Sequence, residues 1–148
     1  MWSHYGEKYR GFCLEFSTVH MPFSNAKQVR YREKIPEMSV VSFLLPQIGD
    51  PISDFFCIKS KSLSYEQEWR VIHERAGTLY CYESEALTGV YFGPEISIES
   101  LKIICLILRG HNERVKFWRG FRSKIEFKVE FEEFNHHSYL EAKSLGLV

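Results

Sequence analysis

The sequence predicts an α+β fold: a mostly antiparallel mixed sheet of about six or seven strands with two or three helices packed on it. Short runs of two-residue alternation recur along the chain. The clearest spans residues 124–131, where Ile125, Phe127, Val129 and Phe131 alternate with Lys124, Glu126, Lys128 and Glu130. Aromatic residues make up 16% of the chain, a share that suits strands better than helices. The best helical spacing lies in residues 98–108, with Ile98, Leu101, Ile104, Cys105 and Leu108 on one face. A chain of 148 residues with no internal repeat or linker fits a single domain, residues 1–148.

Residues 11–18 predict a first strand, with Phe12, Leu14 and Phe16 alternating against Cys13 and Glu15. Residues 29–35 predict a second, with Val29, Tyr31 and Ile35 opposite Arg30, Arg32 and Lys34. Pro22 and Pro36 mark loops, and Pro46, Gly49, Asp50 and Pro51 form a turn cluster. A short helix is expected from Ser53 to about Ser60, capped by Ser53. Residues 68–74 predict a third strand, joined by an Ala76-Gly77 turn to residues 78–83 as a hairpin. Residues 89–92 form a short apolar strand ended by Gly93-Pro94. Ser97 is the expected cap of the central helix and Gly110 its expected stop. Residues 115–122 and 124–131 then form an antiparallel pair, and a short helix closes the tail within 137–145.

Charge and cysteine usage narrow the function classes. Nineteen basic and nineteen acidic residues cancel, so nothing global attracts nucleic acid or an anionic membrane. Zero net charge also means weak self-repulsion, which leaves a homo-oligomer open. Only Asp50 and Asp54 are aspartate, and no calcium-loop pattern occurs. Cys13, Cys57, Cys81 and Cys105 lack zinc or redox spacing, and each lies in an apolar stretch, so buried free thiols are expected. No metal site and no cofactor are expected; His136 and His137 are adjacent and cannot both face one metal from a regular strand. The first residues are polar, and the longest apolar run, Ile103 to Leu108, is too short to span a bilayer. A cytoplasmic location follows as an expectation.

Two polar-aromatic clusters stand out: Trp2-Ser3-His4-Tyr5, and Tyr65-Glu66-Gln67-Glu68-Trp69-Arg70. His4 carries a proton near neutral pH. In an extended segment Glu66, Glu68 and Arg70 share one face. A glutamate–arginine pair there either forms a fork that holds a strand in place or leaves the arginine to grip an anion. Trp2 and Trp69 would wall such a cleft. Glu66-Gln67-Glu68 also matches the Glu-x-Glu of arginine-directed ADP-ribosyltransferases. Glu83-Ser84-Glu85 and Glu130-Phe131-Glu132 match it equally, so the motif discriminates little in this glutamate-rich chain. A basic stretch from Arg109 to Lys128 interleaves Phe117, Trp118 and Phe121. Its amphipathic alternation and the following Glu130, Glu132 and Glu133 argue against nucleic-acid binding.

Met1-Trp2-Ser3-His4-Tyr5-Gly6 followed by Gly11-Phe12-Cys13-Leu14-Glu15-Phe16 resembles the opening signature of a bacterial family known only as domain of unknown function 2971. Lys59-Ser60 followed by Tyr65-Glu66-Gln67-Glu68-Trp69-Arg70 is similar to its second signature. Leu63 stands where relatives usually carry tryptophan. The His-Tyr motif normally lies inside a longer chain, so this one looks N-terminally shortened. The resemblance implies positions, Lys59 among them, and no activity.

The residues expected to line a ligand site are therefore Trp2, His4, Tyr5, Lys59, Glu66, Glu68, Trp69 and Arg70. The leading expectation is a small binding or interaction domain with an anion-favouring cleft. The alternative is an enzyme, a transferase or hydrolase acting on a nucleotide-like or phosphate-bearing substrate. It would use His4 and Glu68 as acid and base, and Arg70 to hold the anion. A third expectation is a structural module that self-associates through an exposed aromatic hairpin.

Overall fold

The computed structural model of the chain describes residues 2, 6–37, 41, 55–73 and 75–146. In chain order the described strands are β1 (Phe12–Phe16), β2 (Lys27–Gln28), β3 (Arg30–Arg32), β4 (Ile58–Ser60), β5 (Trp69–Arg70), β6 (Leu87–Phe92), β7 (Lys116–Arg122) and β8 (Val129–Phe134). Helices α1 (Ile98–His111) and α2 (Tyr139–Ser144) complete the elements used below, with short 3-10 turns between strands. The fold class is α+β. The strands do not form one sheet of six or seven; those described divide into sheets of four, two and two. The chain groups into two compact units, Met1–His20 with Tyr82–Val148, and Met21–Cys81.

The first unit is built on the sheet β1-β6-β7-β8. β1 and β6 are antiparallel, β6 and β7 parallel, and β7 and β8 antiparallel. A parallel step needs a crossover, and α1 supplies it. Alternation decides which face α1 covers. Val90 and Phe92 on β6 and Phe117 on β7 turn inward to meet Leu101 and Cys105 of α1, with Leu87, Ile96 and Val115 closing the core. Leu14 and Phe16 of β1 pack against that cluster, as their alternation predicts. Burial pushes the Cys105 thiol up to about 12, so it packs as a small hydrophobe. Cys57 is buried as expected, whereas Cys13 and Cys81 are exposed. Cys13 falls on the sheet face that α1 does not cover, opposite Tyr91.

Local signals set the ends of α1. The Ser97 hydroxyl accepts the Ser100 backbone N–H at 3.1 Å. Gly110 is not the stop: the helix runs through it to His111, and Asn112 caps it in an extended conformation. The Asn112 side-chain amide donates to Ser84 O at 2.9 Å and Leu87 O at 2.8 Å, which ties the helix end to the start of β6. That long-range bond outweighs glycine's local preference. The expected strand pair is present with a shifted register. Arg122 pairs with Val129, and Ser123 N–H donates to Lys128 O at 3.0 Å, closing a loop over residues 123–128. Ile125 and Phe127 therefore stand in solvent rather than in the core, 89% and 115% exposed. α2 opens with a capping box between Ser138 and Glu141, within the tail expected to be helical.

The other face of the sheet carries an aromatic layer. Tyr91 and Trp118 stack in parallel with centroids 5.7 Å apart, Phe131 meets Tyr91 edge-on at 5.2 Å, and Trp2 lies 5.5 Å from Phe131. Phe131 crosses β7 over Gly120, where an added Cβ would sit 3.1 Å from its ring and 2.7 Å from Phe92 O. Trp2 is brought there by a turn in which Glu7, Lys8 and Tyr9 all have positive φ, of 47°, 54° and 72°. Three such non-glycine residues in a row are costly. The turn is held by Tyr9 O accepting from Glu95 N–H at 3.0 Å, and by Gly93, where a Cβ would lie 2.1 Å from Tyr9 O.

The second unit has little apolar interior; Val29 and Cys57 are its buried apolar residues among those described. β2 pairs antiparallel with β5, and β3 pairs parallel with β4. Val29 lies between β2 and β3, and its N–H donates to Glu68 O at 2.9 Å. Arg30 N–H then donates to Cys57 O at 2.7 Å as the chain changes partner. Three local expectations give way here. The strand expected over 29–35 is limited to Arg30–Arg32. Ser53 lies outside the described residues, and the expected helix gives way at Ile58 to β4, because parallel pairing with β3 captures that segment. Of the hairpin expected from 68–74 and 78–83, only Trp69–Arg70 is strand among the described residues. Gly77 does turn the chain, at φ +73°, and His73 stacks on Tyr80 across it at 3.5 Å.

No helix of the described residues is long and apolar enough to cross a membrane.

Candidate functional site

The second unit gathers Lys59, Glu66, Glu68 and Arg70. Glu68 and Arg70 lie two residues apart on extended backbone, so both side chains leave on one side. Arg70 Nε donates to Glu68 Oε1 at 2.6 Å and Nη2 to Oε2 at 3.1 Å, a two-pronged fork. Its Nη1 donates to Phe56 O. Lys59, on β4, donates from Nζ to Glu68 Oε2 at 3.1 Å and also to the Glu66 carboxylate. Glu66 does not arrive by strand alternation. It ends the 3-10 turn Lys61–Glu66, and Gln67 then takes a left-handed conformation at φ 48°, which swings the chain back so that both glutamates reach one lysine.

The electrostatics follow from these contacts. The Arg70 fork, then Lys59, holds the Glu68 carboxyl below the usual carboxylate range. Glu66, then Glu68, raises the Lys59 ammonium above its ordinary value. Glu68 likewise raises Arg70. Lys59, Glu68 and Arg70 are thus each held in the ionised form. Tyr31 belongs to the same cluster, though its alternation places it with Val29 and Ile35. Its hydroxyl accepts the Glu68 backbone N–H at 2.8 Å. Tyr31 stands opposite Lys59 in the β3–β4 register, a pairing that only the folded chain creates.

Beside the cluster lies an open cleft of about 400 Å³. Arg32, Lys34, Lys59 and Arg70 bring positive charge to it, against one carboxylate among the described residues, Glu33. Phe55, Phe56 and Ile58 supply its apolar wall. Lys61 binds Glu33 at 2.6 Å, whereas Arg32 and Lys34 form no ion pair among the described residues. Arg32, Lys34, Phe55 and Phe56 were not among the residues expected from sequence. A run of alternating charge and a Phe-Phe pair were the available signals.

Of the expected site residues, Lys59, Glu66, Glu68 and Arg70 come together. Trp69 is on β5 but 60% exposed, and it does not line this cleft. Trp2 belongs to the other unit, where it lines a separate cleft of about 490 Å³ with Tyr9 and Arg122. There the Arg122 guanidinium lies 5.0 Å from the Tyr9 ring centre, and Arg122 also pairs with Glu95 at 3.1 Å. His4 and Tyr5 lie outside the described residues. Among the described residues no cluster of His, Cys, Asp or Glu has the form of a metal site. In the basic stretch, Lys116 pairs with Glu133, Lys128 pairs with Glu126 and Glu130, and Phe117 is core.

No curated protein and no solved structure matches the chain. A family model does match, over residues 1–71. The match takes in Trp2 and β1 and the whole ionic cluster. It ends one residue past Arg70, before β6, α1, β7 and β8 begin. Over residues 1–71, just under half of its length, the chain is similar to the family described as Protein of unknown function (DUF2971).

Proposed function

We propose that the unit Met21–Cys81 is a binding module for a small anionic ligand, held in the cleft beside the ionic cluster. The observation that carries this reading is a surplus of positive charge in an open, partly apolar hollow: among the described residues Arg32 and Lys34 have no ion-pair partner, while Lys59 and Arg70 are paired with Glu66 and Glu68, and Glu33 is bound by Lys61. Arg32 and Lys34 are the capturing groups, because among the described residues neither charge is spent on a carboxylate. Lys59 and Arg70 form the positive wall, positioned by Glu66 and Glu68. Phe55 and Phe56 accept the apolar part of the ligand. The proposed setting is the bacterial cytoplasm, a reading supported by four free cysteines.

The acid–base alternative is weaker on chemical grounds. A carboxylate that accepts from an arginine fork and a lysine at once is a poor proton acceptor near neutral pH. Glu68 fits better as an anchor for Arg70 than as a base.

Thermal-shift and calorimetric titrations with phosphate, pyrophosphate, a nucleoside monophosphate and a dicarboxylate test the proposal. Binding of at least one anion is expected, weakening as salt rises. Joint replacement of Arg32 and Lys34 by alanine should weaken it about tenfold or more at unchanged melting temperature. An absence of any shift across the anion set overturns the reading.

A further inference from the structure

We infer that α1 pairs with α1 of a second copy of this chain, antiparallel and about a two-fold axis. The inward side of α1 is spent on the core through Leu101, Cys105 and Leu108. On the opposite side, at helical spacing, stand Glu99, Ile103, Leu106, Ile107 and Gly110. Ile103, Leu106 and Ile107 are 58%, 59% and 63% exposed. A helix that covers a sheet ordinarily presents charge to water there. This one presents three large aliphatic side chains in two adjacent turns.

The occupant is read from the way the stripe complements itself. A two-fold axis through the middle of the stripe sets Ile103 of one copy against Leu106 and Ile107 of the other. The same axis brings Glu99, in the first turn, beside Arg109, in the last turn of the second copy, and does so twice. Glu99 stands on the stripe itself, and Arg109 lies about 80° round the helix from it, on the flank beside Leu106. In an antiparallel two-fold pair like flanks face each other. Neither residue forms an ion pair among the described residues. Gly110 has open space where its Cβ would be, so the partner's backbone can approach closely at the end of the stripe. The antiparallel arrangement also opposes the two helix dipoles favourably, and zero net charge leaves no long-range repulsion to overcome. Leu106, Arg109 and Gly110 border a groove of about 440 Å³ against Ser138 and Glu141, into which the contact extends.

Fourteen residues of helix span about 21 Å, so the contact falls short of the roughly 1,200–2,000 Å² of a stable interface. The expected dimer is weak and concentration-dependent. Sedimentation equilibrium from about 10 µM to about 1 mM reads it directly. The average mass should rise from 17.5 kDa toward twice that value. Ile103→Glu should keep the protein monomeric at an unchanged melting temperature. Glu99→Arg alone and Arg109→Glu alone should each weaken association several-fold, and the double variant should restore it. A monomeric mass at the highest concentration overturns the inference, whether the face is simply bare or is used by another protein. So does a dimer that survives Ile103→Glu, which would place the contact elsewhere.

Discussion

The two units are held together by different forces. In the unit of Met1–His20 and Tyr82–Val148, Phe92, Phe117, Leu87, Val90 and Cys105 are fully buried between α1 and a four-stranded sheet. In Met21–Cys81 only Val29 and Cys57 are buried among the described residues, and the paired strands are two or three residues long. There Lys59, Glu66, Glu68 and Arg70 take over the role of a core. Apolar burial is non-directional and scales with area. Charge-assisted hydrogen bonds depend on geometry and on ionisation. The first unit should therefore respond to lost volume, and the second to lost charge and to pH.

The largest expected effect tests the apolar side. Phe117 is 1% exposed, with ring centroids 6.2 Å from Phe92 and 6.1 Å from Phe134. Phe117→Ala should cost about 3–5 kcal/mol in denaturant unfolding. Hydrogen exchange should show the loss in the amides of β6 and β7. If amides in Met21–Cys81 lose equal protection, the two units are one cooperative block and the contrast fails.

A smaller effect tests the ionic side. Arg70→Met removes three charge-assisted bonds and leaves the Glu68 carboxylate half-exposed without its fork. The expected cost is about 1.5 kcal/mol, discounted for the solvent that reaches both groups. Exchange at the Val29 amide, whose acceptor is Glu68 O, should quicken while β6 is unchanged. Equal loss in β6 would break the comparison from the other direction.

The smallest effect is a pH dependence. The folded Glu68 pKa lies below its unfolded value because of Arg70 and Lys59. The stabilisation it provides is thus complete above the unfolded carboxylate value of about 4.3 and fades as pH falls through the lower folded value. Melting curves of the parent protein and Glu68→Gln should converge in that acid window. Curves that stay parallel down to low pH would show that the fork contributes nothing to stability.

Much of the apolar unit was legible in the sequence. Leu14 and Phe16 point inward as their alternation predicts, and Ser97 caps α1 where expected. The same alternation misled at Ile125 and Phe127, because a two-residue period says which side chains share a face but not where pairing begins. Gly110 misled for a related reason: the helix end is chosen by the Asn112 bond to β6, some twenty-five residues away in sequence. In the ionic unit the Glu68–Arg70 fork was legible because its members are two residues apart. Tyr31 and the left-handed turn at Gln67 were not, since both depend on partners from other segments.

The sequence by itself determined the α+β class, the inward faces of β1 and of α1 from Leu101 to Leu108 (Ile98, expected on that face, is exposed), the Ser97 cap and the Glu68–Arg70 pair. Each of these is set by neighbours within a turn or a strand, where spacing alone selects the geometry. Tertiary structure decided how the described strands divide into sheets, which lysine meets which glutamate, and which of the described cations pair with a carboxylate. Those outcomes turn on contacts between distant segments, and no local pattern encodes the partner.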